Sequence, residues 1–483
     1  MLASDELFCC VVCETWKVTL SPSLLRVKIT RSPEIAWFAI LIIVLGALIW
    51  QSDGFYPIDE GAHFISDAAA LRYPSTSLGV WQRFGSVWLF ALPAQFGHKV
   101  VKIFGSILFL VTVFITYKVA EIEGIPGKEW VVALAGLQPA FLDISFTCMP
   151  ELPASTLLIL SYYLYRKSRL NWSVFAASLT FLFRYEMFIF AGIILLIVMK
   201  RRAVSAVPYV FAGPAIWYFF SCLWTGDPAW LGRELLRFSA LEKYKEGVQW
   251  FHYLVNSPVI FGWIPVGLFV IAFAFDFLRK TVRSPLLYLG IFLSLTISTL
   301  ASSKVFHWTG SVGDVRYLTP ISPFMAVIAL EGLAALRSII PAGVISRYLP
   351  FGLAGLLALQ TIPAVKPHHL DSYEKTVISL TQRAAADTIA TPILSNHWAS
   401  RLPPMGPNQG RDSVLYLSKE TLSSHERAYV LWDPKLANSP FTQKALTLSS
   451  LREDSSVSLV DSVVSDAGTV FLFLKDTTRI MRF

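Results

Sequence analysis

"AWFAILIIVLGALIWQSDGFYPIDEGAHFISDAAAL", residues 36–71, joins two kinds of sequence with almost nothing between them. Residues 36–50 carry no charged side chain, whereas Asp59, Glu60, His63 and Asp67 fall within nine positions just beyond. An uncharged apolar run of that length reads as a membrane helix. The question it sets is which side of the membrane receives the acids and the histidine.

Composition generalises the first half of that reading. Hydrophobic residues make up 54% of 483, charged residues only 15%, and Phe alone occurs 35 times; mean hydropathy is +0.55. So much apolar surface exceeds what a soluble core can bury. The net charge of +8 does not signal nucleic acid, because the basic residues punctuate hydrophobic runs instead of clustering on a soluble face. Apolar runs near 35–51, 103–117, 131–147, 152–165, 172–183, 187–199, 206–224, 258–278, 285–301, 317–336 and 349–365 predict an all-α polytopic membrane protein of about 11 transmembrane helices.

With the N-terminus in the cytoplasm, inside segments hold 17 Lys and Arg in 77 residues and outside loops hold 11 in 106, the sign the positive-inside rule demands. The 172–199 stretch is short for two crossings, yet "YRKSRLNW" before it and "MKRRA" after it both belong inside, so a hairpin with "FRYEMF" at its tip is expected. The domains read as a cytoplasmic segment 1–34, a membrane domain 35–366 with a long first outer loop 52–102, and a soluble α/β domain 367–483 outside the cytoplasm. In that last domain a helix near 373–389 precedes the strand candidates "TPILSNH", "RAYVLWDP", "VSLVDSVV" and "TVFLFLKD". Residues 1–34 lack an apolar core ending in a small-residue site, so the first helix reads as its own signal anchor. Cys9, Cys10 and Cys13 precede it without the second pair of a structural zinc site, and the tail has no cysteine to build disulfides.

All eight histidines fall on the outer side of this topology. Four outer stretches share that face: the first loop, in which "SVWLFALPAQF" reads as interfacial with Trp88 at the headgroup level; "TCMPELPAST", with Glu151 between prolines at a hairpin tip; "FRYEMF", with Arg184 and Glu186; and "VFHWTGSVGDVRYLTPISPF", with His307, Asp314 and Arg316. Transporters place ionisable groups at the midplane of repeated halves. Here only Asp143, Asp276 and Glu331 lie inside the expected spans, and no internal repeat is visible.

The acidic pair Asp59–Glu60 in the first outer loop, "PELP" at 150–153, "RYE" at 184–186, "TGDPAWL" at 225–231, "RYLTPISPF" at 316–324 and a small external C-terminal domain together resemble the GT-C superfamily of polyprenyl-phosphate-sugar-dependent glycosyltransferases. Protein mannosyltransferases, lipid A aminoarabinose transferases and oligosaccharyltransferases belong to it. The resemblance implies an inverting transferase that moves a sugar from a polyprenyl or dolichyl monophosphate carrier to an extracytoplasmic acceptor. It places the proton-accepting acid at Asp59, with Glu60 the adjacent candidate, and a second acid at Glu151, orienting the acceptor or a sugar hydroxyl. A carboxylate helps a weak hydroxyl nucleophile by taking its proton in the transition state, and a departing lipid phosphate needs positive charge, for which Arg316 and Arg184 are the bidentate candidates. His63, Glu186, His307 and Asp314 complete the expected substrate-binding set. The 225–256 loop is too short for the large domain of the protein mannosyltransferases, and no "WWD" motif occurs, so a lipid or lipid-linked glycan acceptor is expected.

Plainer roles compete. Asp59 and Glu60 also suit a helix N-terminus, His63 sits four residues from Asp59 and could bond it or share a divalent metal, and Arg184 could simply pair with Glu186. No cofactor is obligatory, because a lipid monophosphate donor needs no metal, though a divalent ion is allowed. The expected partners are the lipid-linked donor, the lipid or glycan acceptor and membrane lipids, with no nucleic acid, in a plasma or inner membrane. The competing functions are a polytopic transporter and a lipid-diphosphate-dependent polymerase or ligase.

Overall fold

The computed structural model describes residues 33–477 except 57–58, 72–73, 79–82, 240–248, 303–313, 342, 387–390, 396–413, 418–421, 435–445 and 466–467. His307, Lys304 and the N-terminal cysteines lie outside the described residues.

The helices in chain order are α1 (Pro33–Gln51), α2 (Asp59–Ala70), α3 (Phe84–Gln95), α4 (His98–Ile122), α5 (Trp130–Gly136), α6 (Pro139–Ile144), α7 (Glu151–Arg166), α8 (Leu170–Leu179), α9 (Ile189–Lys200) and α10 (Ala212–Thr225). They continue with α11 (Trp230–Ser239), α12 (His252–Val255), α13 (Ser257–Phe261), α14 (Trp263–Arg279), α15 (Pro285–Ser302), α16 (Ser322–Ile339) and α17 (Val344–Ala364). Helical structure occupies every stretch expected to cross the membrane. Among the described residues, four continuous helical segments are long and apolar enough to cross a bilayer: Pro33–Gln51, His98–Ile122, Val204–Thr225 and Val315–Ile339. The chain is a mostly helical membrane protein.

Two expected spans are interrupted. The 131–147 run breaks because Pro139 opens α6 and pushes Gln138 into an extended conformation. The broken ends are satisfied from neighbouring helices: the Gln138 amide donates to the carbonyls of Leu134 and Ser322 at 3.0 Å each, and the Thr361 hydroxyl donates to the Leu137 carbonyl at 2.5 Å. Such compensation is what lets irregular backbone survive inside an apolar medium. The 258–278 run bends at Gly262, between α13 and α14.

Of the four long apolar segments, Val315–Ile339 is the most enclosed, with 94% of its apolar window buried. It packs tightly on α14 because Gly332 has no side chain: a Cβ there would stand 1.9 Å from the Leu268 carbonyl oxygen. At the membrane edge, α1 buries Leu41 and Leu45 and leaves Ile35, Ile42 and Ile43 outward, as a lipid-facing helix should.

Glu151 stands where the chain turns from α6 into α7. It occupies the first turn of α7, fully buried, because Pro150 and Pro153 fit a helix start, where their missing N–H groups have no intrahelical partner to lose. Trp88 is half-buried against protein: its indole N–H donates to the Ser77 hydroxyl at 3.1 Å and its ring lies 5.6 Å from that of Trp224.

The C-terminal residues form a sheet of β1 (Ile393–Ser395), β2 (Val414–Tyr416), β3 (Arg427–Trp432), β4 (Val457–Ser465) and β5 (Gly468–Asp476) in the order β2-β1-β3-β5-β4. Strand β1 runs parallel to β2 and β3, while β5 is antiparallel to β3 and β4. Alternation along the strands supplies two apolar faces. Ile393, Leu431 and Leu472 pack under α18 (Ser372–Ala385), and Leu394, Val430 and Phe473 pack with α19 (Leu448–Glu453) through Leu451. The strand β2 is absent from the sequence-based list of strands.

Gly332→Ala should lower the thermal midpoint of the detergent-solubilised protein by several degrees, an overpacking cost of about 1–3 kcal/mol. Gly355→Ala, with nothing within 4 Å of the added carbon, should leave it unchanged; equal midpoints for the two variants would refute the crossing contact.

Candidate active site

Helix α2 begins with the two adjacent acids, and consecutive helical positions point about 100° apart. The buried stripe of α2 is Glu60, His63, Phe64 and Asp67, the i, i+3, i+4, i+7 spacing of one helix face. Asp59 lies off that stripe. The two acids therefore enter different environments.

Asp59 keeps 20% of its side chain exposed and pairs with the guanidinium of Arg316. Arg316 stands at the start of the helical turn that leads into α16, where the Asp314 carboxylate accepts from its backbone N–H at 3.0 Å. Its side chain Nε is also 3.2 Å from Asp314 and 3.6 Å from Glu151. From the other side Arg184 approaches Glu151 at 3.2 Å and Glu186 at 2.7 Å, and its guanidinium covers the Tyr317 ring at 4.2 Å. Thus Asp59, Glu151, Arg184, Glu186, Asp314 and Arg316, predicted from four separate stretches, form one charged chain with Glu151 shared between two arginines. Arg184 meets both Glu186 and Glu151, so its pairing is wider than a simple Arg184–Glu186 bridge. Burial alone would raise the Glu186 carboxyl, but Arg184 and Arg83 hold it below its ordinary range.

Glu60 enters a second cluster. It is completely buried, accepts from the Tyr56 backbone N–H at 2.5 Å and the Cys148 backbone N–H at 3.3 Å, and faces Lys102 at 3.8 Å, His98 at 3.7 Å and His368 at 3.9 Å. Burial opposes its charge, yet Lys102 first and His98 after it prevail and hold its pKa down to about 2. Farther along the same face, burial keeps the Asp67 carboxyl well above the usual range, and the Glu60 charge adds to the rise. Tyr56 stands between the two clusters: the Arg316 guanidinium lies 5.7 Å from its ring and the His368 ring meets it edge-on at 5.5 Å.

His63 is buried on the Glu60 stripe of α2, and His307 lies outside the described residues. Among the described residues no three His, Cys, Asp or Glu side chains converge as a metal site. Sequence reading missed Lys102, His98, His368, Tyr56, Tyr317 and Arg83. Arg83 covers the Tyr185 ring at 3.9 Å, and its Nη1 has no hydrogen-bond partner among the described residues. Lys102 had a signal: it sits at the start of a long apolar helix, where a cation needs a partner.

No family model and no curated protein matches the sequence. Among solved structures, ArnT from Cupriavidus metallidurans in the apo state is similar with a TM-score of 0.60 at 10% identity, over 93% of this chain and 99% of that chain. The same protein bound to undecaprenyl phosphate is similar with a TM-score of 0.59 at 9% identity, over 91% and 97%. At these identities the likeness is one of fold: over most of its length the chain has the architecture of ArnT, a GT-C glycosyltransferase.

Because the folded pKa of Glu60 lies below its ordinary value of 4.5, its stabilisation is fully present above about pH 4.5 and is lost as the pH falls toward 2. Thermal midpoints of the wild type should fall across that window more steeply than those of Glu60→Gln; parallel acid limbs would show that Glu60 is not held ionised.

Proposed function

We propose that the chain is an inverting membrane glycosyltransferase that takes a sugar from a polyprenyl monophosphate carrier and passes it to a lipid or lipid-linked glycan at the external face of the membrane. The observation that carries this reading is the charged chain built around Arg316, in which a partly exposed carboxylate, Asp59, stands against a nearly buried guanidinium. The GT-C architecture adds support, as does the capture of undecaprenyl phosphate by the structural neighbour.

In this reading the acceptor oxygen attacks the anomeric carbon from the face opposite the carrier, its proton passes to a carboxylate oxygen of Asp59, and the bond from carbon to phosphate oxygen breaks with its electron pair leaving on the lipid phosphate. The bound donor is a phosphodiester with one negative charge, and the departing monoester carries about two at neutral pH. Negative charge therefore grows during the step, so Arg316 and Arg184 stabilise the transition state more than the bound donor. Four acids, Asp59, Glu151, Glu186 and Asp314, surround these two arginines. Arg83, already turned toward Glu186 and Tyr185, adds a third arginine and cuts the net charge an anion meets there from two negatives to one. Donor phosphate competes with Asp59 for Arg316 and frees the carboxylate for the acceptor proton. Glu60, ionised and enclosed, orients α2 in this scheme and leaves base chemistry to Asp59. Eleven crossings, with the C-terminal domain outside, remain the topology proposed for this arrangement.

The test uses the full chain in proteoliposomes, with polyprenyl-phosphate-linked hexose and aminopentose donors, total membrane lipid as acceptor, and release of polyprenyl monophosphate as the readout. Asp59→Asn should slow release about 10²–10⁴-fold with undecaprenyl phosphate binding retained, and Arg83→Ala should weaken that binding by about tenfold or more. Release unchanged in Asp59→Asn excludes Asp59 as the base; solute flux without any covalent product overturns the enzyme reading.

A further inference from the structure

The linker from α17 to the C-terminal domain does not run free. His368, His369 and Leu370 lie along the start of the first outer loop: the Gly54 N–H donates to the His368 carbonyl at 2.8 Å, the His368 N–H donates to the Ser52 hydroxyl at 3.0 Å, and His369 pairs with Asp53 at 2.8 Å. The approach requires a glycine, since a Cβ on Gly54 would lie 2.2 Å from the His369 carbonyl carbon. Leu370 then packs among Phe55, Phe64 and Phe90. The loop that ends in Asp59 is thus stitched at its root to a segment more than 300 residues later.

The His368 side chain goes further. Its Nδ1 is 3.2 Å from the Lys102 ammonium on α4, its Nε2 is 3.2 Å from the Asp143 carboxylate on α6, and its ring stacks on Phe146 at 4.4 Å. An ammonium can only donate and a carboxylate accepts. The pattern therefore assigns a neutral imidazole with the proton on Nε2, its Nδ1 lone pair taking a Lys102 hydrogen. In this form His368 fills a place no purely apolar side chain can: it accepts from the cation that holds Glu60 and donates to an acid on a different helix.

We propose that His368 is a positioning residue for the transferase site, a clasp through which the linker to the C-terminal domain fixes Lys102, hence Glu60, hence the pitch of α2 that aims Asp59 at the reacting centre. The inference rests on the transferase reading above. Its ring also touches Tyr56, whose other side meets Arg316, so the clasp and the charged chain share one aromatic divider. A 1 Å error in the placement of a base is costly in rate and nearly silent in binding of a remote lipid, which makes the clasp visible as a split between kcat and affinity.

The experiment measures carrier release and undecaprenyl phosphate binding for the full chain carrying His368→Phe, His368→Gln or Gly54→Ala. Phe keeps the stacking and removes both polar bonds, Gln keeps an acceptor and a donor, and Gly54→Ala pushes the linker away without touching the imidazole. His368→Phe should lower kcat about 10–100-fold with undecaprenyl phosphate affinity within about twofold, Gln should recover most of the loss, and Gly54→Ala should reproduce it. If His368→Phe does not fold, Gly54→Ala and Gln decide by the same readouts. Unchanged kcat in both Phe and Gly54→Ala, or loss of binding in parallel with kcat, overturns the clasp. A wild type that releases no carrier from any donor refutes the transferase reading itself and not the geometry of the clasp, which the loss of thermal stability in Gly54→Ala reports separately.

Discussion

The Lys102–Glu60 pair is the constraint on which the first loop and its neighbours depend. Both side chains are fully buried, and a charge taken out of water is tolerated only when every neighbour helps to hold it. His98 from the same helix as Lys102 and the backbone N–H groups of Tyr56 and Cys148 supply that help directly, and His368 from the C-terminal linker supplies it through Lys102. Four distant stretches of chain are brought to one point because a single ion pair cannot be left incomplete there.

The orientation of the charged chain outside follows from that point. With Glu60 fixed inward, the rotation of α2 is set, and Asp59 has no choice but to face Arg316. Glu151 is similarly constrained, caught between Arg184 and Arg316 so that two outer stretches and the start of α16 are tied through one carboxylate. The same residues that make the site charged also make it rigid. Neither aspect can be altered alone, since removing one member leaves an opposite charge buried without its partner.

The sequence revealed the class of fold and the membership of the charged chain, because membrane helices and their polar exceptions leave strong composition signals. Asp59, Glu151, Arg184, Glu186, Asp314 and Arg316 each stood out as a charge beside apolar sequence, and they meet. What stayed hidden depends on pairing across the chain. Glu60 and Asp59 are adjacent letters, and only the stripe Glu60, His63, Phe64 and Asp67 distinguishes the buried acid from the accessible one; a polar stripe does not look like a buried face until its counter-ions are known. Lys102 and His368 are 266 residues apart, and no local pattern couples them. The break at Pro139 and the bend at Gly262 were masked for the opposite reason: hydropathy counts apolar residues without asking whether the backbone between them stays helical.

The seam between residues 52–55 and 368–370 also imposes an order on biosynthesis. Helices α1 to α17 precede the linker, and the break at Gln138 is closed within them by Thr361 of α17. The cluster around Glu60 is not closed within them: one of its members is supplied only after residue 368 has left the ribosome and crossed to the side of the first loop. Until then a buried lysine lacks its His368 neighbour, and the loop root lacks the bonds from Gly54 and to Ser52 that the linker makes. The Glu60 cluster is therefore completed by one of the last segments to arrive, so a chain truncated before the linker would carry every residue of the charged chain and still lack the contact that braces Lys102.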